Sequence, residues 1–204
     1  MIHVHDAGGV WTLTLDRPEK ANSLTAEMLL ALCEGVDAAC KAGARALVLT
    51  GRGGVFSAGA DLDEARAGLA TSGLWEALSG RIAAAPLLTI AALNGTMAGG
   101  AFGMALACDM RLAVPGANFF YPVMKLGFLP QPSDPVRLTA LVGPARAKMI
   151  LMAGARIETP EALSWGLVDR VSDPDALLPD ALALTQDAAA ATGKHVAAIK
   201  QMVR

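Results

Sequence analysis

The sequence is poor in aromatic side chains. They make up 4% of its 204 residues, with Tyr121 the single tyrosine, against 53% hydrophobic residues. A chain of this length buries roughly 70% of its unfolded surface, enough for a real core. That core must therefore be built from Ala, Leu, Val and Met packed around small residues. Charge of one sign is also lacking: 17 basic and 19 acidic residues leave a net charge of −2. This excludes the electrostatic footprint of a nucleic-acid or anionic-membrane binder. Local Arg, Lys or helix N-termini can still bind an anionic ligand. Cysteine is scarce, with Cys33, Cys40 and Cys108 widely spaced and no C-x-x-C. A disulfide framework or a zinc site is excluded, and no metal is expected. Met1-Ile2-His3-Val4-His5-Asp6 lacks the basic and apolar regions of a signal peptide, so a cytoplasmic location is expected.

Between Arg81 and Asp109 there is no charged residue at all. The stretch is long enough for a membrane span. It is broken by Pro86, Asn94-Gly95, Gly99, Gly100 and Gly103, which a lipid-facing helix would have to tolerate. It reads instead as a buried strand, a turn and a buried helix.

Strand-like runs at 2–5 and 10–15 flank Gly8-Gly9. Thr25 has the form of an N-cap for a helix to about Cys40, with apolar Met28, Leu29, Leu32 and Val36. Residues 46–50 and 87–93 are continuous apolar runs of strand length, as expected for strands buried on both faces. Helices are predicted from about Asp61 and over 73–84, 98–108, 133–142, 144–154, 160–165, 175–191 and 195–204. Short strands are predicted over 111–114, 118–121 and 167–171. This alternation predicts an α/β domain.

Twice, a buried strand runs into a Gly-rich turn that opens a helix. Residues 47–50 lead to Ser57-Ala58-Gly59-Ala60-Asp61, and residues 89–93 lead to Asn94-Gly95 and Gly99-Gly100. Small residues admit a ligand close to the backbone, and exposed N–H groups at a helix start attract negative charge. Two such turns facing each other could hold one developing oxyanion, each donor being worth roughly 3 kcal/mol of barrier.

Segments 15–24, 56–62, 94–109 and 125–130, with 161–168 further on, resemble the enoyl-CoA hydratase/isomerase (crotonase) superfamily in family order. The resemblance implies a crotonase-like spiral of ββα units (the ClpP/crotonase fold) over a single domain, 1–204. Trimers or pairs of trimers are the usual assembly. It places oxyanion donors at the backbone N–H groups of Ala60 and Gly100. It places coenzyme A, as part of an acyl-CoA substrate and not a permanently bound cofactor, near Lys20, Ala21, Ala58, Ala60, Asp61 and Leu62. Against the resemblance, most of the family's C-terminal helical extension is expected to be missing. The usual 3′-phosphate contact is then expected to be partly missing or supplied by a neighbouring subunit.

The resemblance also exposes departures. The two glutamates with which family hydratases activate water would fall at Gly103 and Val123, neither of which can carry a proton. A base used by family isomerases would fall at Gln131. Asp134 is the nearest carboxylate in sequence. Ser133-Asp134-Pro135 also has the form of a helix start, so Asp134 is both a capping and a catalytic candidate. Tyr121, before Pro122, is a half-buried strand residue or a substrate contact. Glu64 and Glu76 are assigned no role, and Asp61 is expected to cap its helix. His3, His5 and His195 lie far from Ser57 in sequence, and Ser57 lacks a nucleophile elbow, which disfavours a ClpP-like peptidase. Isomerase-type or other enolate chemistry on an acyl-CoA is therefore expected over hydration. An inactive CoA-binding or assembly protein is the alternative.

Overall fold

The computed structural model describes residues 1–203, so Arg204 of the final predicted helix lies outside the described residues. Strands β1 (Ile2–Ala7) and β2 (Val10–Leu15) form an antiparallel hairpin. Gly8 and Gly9 close it at φ of 63° and 84°, the left-handed pair that a tight two-residue turn demands. Helix α1 (Ala26–Lys41) starts at Thr25, whose hydroxyl accepts from the Met28 N–H at 3.2 Å. It buries Met28, Leu29, Leu32, Val36 and Ala39. At Gly35 the helix lies so close to β2 that a Cβ would stand 2.9 Å from Leu13.

The chain then repeats one unit. β3 (Ala46–Gly51) leads to β4 (Val55–Ser57) and α2 (Leu62–Arg66). After α3 (Leu74–Ala84), β5 (Leu88–Leu93) leads to β6 (Thr96–Ala98) and α4 (Ala101–Leu106). Then β7 (Met110–Ala113) leads to β8 (Asn118–Phe120) and α5 (Val123–Leu126). The remainder comprises α6 (Asp134–Val142), α7 (Pro144–Leu151), β9 (Ile157–Glu158) and α8 (Thr159–Trp165). It continues with β10 (Arg170–Val171), α9 (Leu177–Ala183), α10 (Gln186–Ala190) and α11 (Gly193–Met202).

In each repeat the first strand joins a six-stranded sheet, ordered β1-β2-β3-β5-β7-β10. The second joins a four-stranded sheet, ordered β4-β6-β8-β9. This is the spiral of ββα units. β3 and β5 pair in parallel at its centre, and Leu47, Val48, Ile90 and Ala91 are fully buried there, as their unbroken apolar runs require.

The structure corrects several expected elements. β4 and β6 have three residues each, too few to show a period, and the sequence reading ran a loop and a helix across them. The single helix expected over 175–191 is α9 and α10. At the break, the Thr185 hydroxyl donates to the Leu182 carbonyl at 2.7 Å, the back-bonding that bends helices. The strand expected over 167–171 pairs only at 170–171, because the Leu167 carbonyl is taken by the buried Arg111 at 3.0 Å. Arg111 also reaches the Cys108 carbonyl at 2.8 Å and Asp169 at 3.0 Å, fastening β7 to the segment before β10. Among the described residues no helix is long and apolar enough to cross a membrane, and the uncharged stretch resolves into β5, β6 and α4.

Candidate active site

Two asparagine side chains set the geometry of the first turn. Buried Asn22 donates to the carbonyls of Arg52 at 2.9 Å and Val55 at 2.8 Å. Asn94 accepts from Gly51 N–H at 2.9 Å and donates to the Gly53 carbonyl at 2.7 Å. Gly95 lets the 53–55 loop lie against it, since a Cβ there would sit 2.0 Å from the Gly54 carbonyl. Asn94-Gly95 thus packs against the first turn.

The two glycine turns meet. Gly59 adopts φ of +91°, and a Cβ on it would stand 2.8 Å from the Ala98 carbonyl and 3.4 Å from the Gly100 nitrogen. Leu24 N–H donates to the Gly59 carbonyl at 2.7 Å, and Asp61 N–H donates to the Leu24 carbonyl at 2.9 Å. That pairing spans Ala60, whose own N–H has no hydrogen-bond partner among the described residues. Gly99 N–H donates to the Phe120 carbonyl at 3.1 Å, and the Gly100 N–H next to it likewise has no partner among the described residues. Ala60 and Gly100 both line one cleft of about 230 Å³. Trp75 forms part of its wall, with its ring about 2.9–3.1 Å from where a Cβ on Gly100 would be. Leu126, Phe128 and Leu129 make the wall largely apolar, and no cationic side chain among the described residues lines it.

Tyr121 also lines this cleft. It is buried, its ring stacks on Phe102 with centroids 5.3 Å apart, and its hydroxyl donates to Asp134 Oδ2 at 2.9 Å. Asp134 is fully buried, and its Oδ1 has no hydrogen-bond partner. That oxygen lies 3.1 Å from where a Cβ on Gly103 would be. The expectation that Asp134 caps α6 is therefore overturned. Ser133 is the N-cap, without a side-chain cap bond of its own, and the Asp134 carboxylate turns toward Tyr121 and into the space Gly103 leaves. Burial pushes the Asp134 carboxyl up to about 6, against the pull of the Tyr121 hydrogen bond and the Arg137 charge. Burial, with the adjacent Asp134 charge, pushes the Tyr121 hydroxyl well above its ordinary value. Val123 and Gln131, where the resemblance places family proton-transfer groups, line the cleft, and neither carries a titratable group.

Capping of α6 comes from a residue to which the sequence reading gave no role. Glu76 on α3 accepts from the Ser133 N–H at 3.1 Å through Oε2 and from the Ser133 hydroxyl through Oε1. Glu64 behaves similarly, accepting from the Ala26 N–H at the start of α1 at 2.7 Å. Helix ends capped by carboxylates from distant helices leave no local pattern in the sequence.

The residues expected near coenzyme A come together at one edge. The Ala58 N–H donates to the Ala21 carbonyl at 2.9 Å, joining the 20–21 and 58–62 segments, while Lys20 and Leu62 are exposed. Asp61 caps α2 by accepting from Asp63 N–H at 3.1 Å, and Arg17 at 2.8 Å holds its carboxyl below the ordinary value. At the far end of the chain the Lys200 ammonium pairs with Asp109 at 2.9 Å and donates to the Leu87 carbonyl at 2.9 Å. Ser57 is buried and bonded to the Asn22 carbonyl at 2.8 Å, and none of the histidines lines the cleft, so no Ser–His pair is assembled.

The structure thus combines a six-plus-four-stranded ββα spiral with two abutting glycine turns that line an apolar cleft. The sequence profile of the Enoyl-CoA hydratase/isomerase family matches residues 5–204. The chain is 35% identical over 210 residues to the carnitinyl-CoA dehydratase of Salmonella enteritidis, covering 100% of this chain and 80% of that one. It superposes on an enoyl-CoA hydratase from Bacillus anthracis with a TM-score of 0.91 at 31% identity, covering 99% of this chain and 81% of that one. Subunit I of an enoyl-CoA hydratase from Geobacillus kaustophilus gives a TM-score of 0.90 at 34% identity, covering 99% and 80%. The chain belongs to the enoyl-CoA hydratase/isomerase family and is an enzyme of the type that acts on acyl-CoA.

Proposed function

We propose that this enzyme binds an acyl-CoA with its thioester oxygen between the Ala60 and Gly100 N–H groups and carries out isomerase-type enolate chemistry instead of ordinary hydration. The observation that carries this is the pair of unpartnered N–H groups in abutting turns, with the Tyr121–Asp134 pair on the same cleft. Both donors are held rigidly before reaction, the condition for stabilising charge as it develops. Hydration needs two carboxylates across a bound water, and Gly103 and Val123 supply neither.

In the isomerase reading, a C–H proton leaves the acyl chain for the Tyr121 oxygen while the phenol's own proton passes to Asp134 Oδ2. The C–H electron pair enters the enolate, whose oxygen lies at the two N–H groups. The reverse relay returns a proton to a different carbon and shifts the double bond. Because the two protons move together, no free phenolate is required, which matters for a hydroxyl raised so far. The Asp134 carboxyl, at about 6, is ionised and ready to accept at neutral pH. The acyl group such a wall accepts is uncharged, since no cation lines it. Coenzyme A contacts at Lys20, Ala21, Ala58, Asp61 and Leu62 belong to the same reading. Those at Ala58 and Asp61 would not use the N–H groups, which are already engaged. Trimers or pairs of trimers also belong to it, and sedimentation reads them directly.

The second reading, a CoA-binding protein without catalysis, is favoured by Gly103, Val123 and Gln131 at the family's proton-transfer positions. A panel of enoyl-CoA thioesters, with calorimetry alongside, separates the two. Double-bond isomerisation supports the first. Binding without turnover of any thioester supports the second, and absence of binding contradicts both.

A further inference from the structure

Proton transfer through Tyr121 depends on where Asp134 stands, and on the start of its helix, where Arg137 N–H donates to the Ser133 carbonyl at 3.1 Å and Asp134 N–H to the Gln131 carbonyl at 3.0 Å. Ser133, the residue before it, makes no side-chain cap bond to α6. Both hydrogen-bond donors of Ser133 are taken by one carboxylate from another helix: its N–H by Glu76 Oε2 at 3.1 Å, its hydroxyl by Glu76 Oε1. The neighbouring Trp75 anchors the same part of α3. Its indole N–H donates to the Leu69 carbonyl at 2.8 Å, and its ring packs against Gly100. One turn of α3 therefore touches the oxyanion turn with Trp75 and the start of the Asp134 helix with Glu76.

We propose that Glu76 is a positioning residue, which clamps the first turn of α6 through Ser133 and so holds Asp134 against Tyr121 and the Gly103 gap. This rests on the reading of Tyr121 and Asp134 given above. Three polar groups face the Asp134 carboxyl: the Tyr121 hydroxyl at 2.9 Å, the Arg137 cation one turn along α6, and Glu76 from α3. Arg137 draws the carboxyl down, while the Glu76 charge pushes it up. Glu76 thus has two separable effects, one geometric and one electrostatic.

Two substitutions divide them. Glu76→Gln keeps an oxygen for the Ser133 N–H and reverses the other contact, its amide donating to the Ser133 hydroxyl, so the clamp survives and the charge goes. Its kcat is expected within about 3-fold of wild type, and the acidic limb of its pH–rate profile moves to lower pH. Glu76→Ala removes the clamp, and a displacement of Asp134 by about 1 Å lowers kcat by roughly 100-fold with little change in KM. The Asp134 carboxyl can also be titrated by 13C NMR, its resonance identified by its loss in Asp134→Asn, and this reports on Glu76 whether or not turnover is seen. A higher midpoint in Glu76→Ala than in Glu76→Gln, as Asp134 leaves the Tyr121 hydroxyl that holds it down, supports the proposal even if every thioester fails, an outcome that would sink only the isomerase reading. Wild-type kcat in Glu76→Ala overturns the proposal. So do equal midpoints in the two variants, or equal loss of kcat in both.

Discussion

Asp134→Asn should make the protein more stable and much less active. Asp134 is fully buried, and its Oδ1 meets no donor. Its carboxyl is raised from 3.8 to about 6, which corresponds to about 3 kcal/mol spent on keeping it ionised at pH 7. Asn has nearly the same shape and retains an oxygen for the Tyr121 hydroxyl, so it removes the charge and leaves the packing. Because the folded state binds this proton more tightly than the unfolded chain, the wild type gains stability from this group as pH falls from about 6 to 4. The variant's advantage should therefore approach 3 kcal/mol at pH 7, shrink below pH 6 and vanish near pH 4. Urea unfolding at pH 7 and pH 4.5 measures it as a shift in midpoint at constant slope. In a domain of this size the gain at pH 7 corresponds to a Tm higher by roughly 6–10 °C. Turnover should fall by about 10²–10⁴-fold, the range for removing a positioned acid–base group. A variant less stable than wild type at pH 7, a stability gap independent of pH, or undiminished turnover would each refute the reasoning.

Tyr121→Phe keeps the stack on Phe102 and loses the hydroxyl. Its kcat should drop about 100-fold, and its acidic limb should move to higher pH, because the hydrogen bond that holds Asp134 down is gone. Gly59→Ala places a Cβ 2.8 Å from the Ala98 carbonyl at a φ of +91°. It should cost about 2 kcal/mol or more in urea unfolding and, by spreading the two turns, about 100-fold in kcat/KM. Arg111→Met strips the buried ties to Leu167, Cys108 and Asp169, and should lower stability by about 3–5 kcal/mol while the folded enzyme keeps its turnover number.

The parts legible in the sequence are those with a local cause. The uninterrupted apolar runs of β3 and β5 announce buried parallel strands, and Thr25 and Asp61 cap the helices they precede. The family motifs carry the rest of the spiral, including β4 and β6, which are too short to be read from pattern alone. The site was legible only in pieces. Gly103 stands out as a missing glutamate and Asp134 as a stray carboxylate, but 31 positions of sequence separate them, and only the fold sets one against the other. Asp134 was misread as a cap because the local string Ser133-Asp134-Pro135 fits a helix start, whereas burial beside Tyr121 decides where the carboxylate goes. Glu76 and Glu64 were passed over for the same reason: each caps a helix elsewhere in the chain.

The central claim is that Ala60 and Gly100 hold the thioester oxygen, and a crystal structure with a non-reactive acyl-CoA analogue measures it directly. The account predicts that oxygen about 2.7–3.1 Å from both nitrogens, with the acyl chain running past Tyr121. A carbonyl bound to neither N–H, or turned out of the cleft toward solvent, would contradict it.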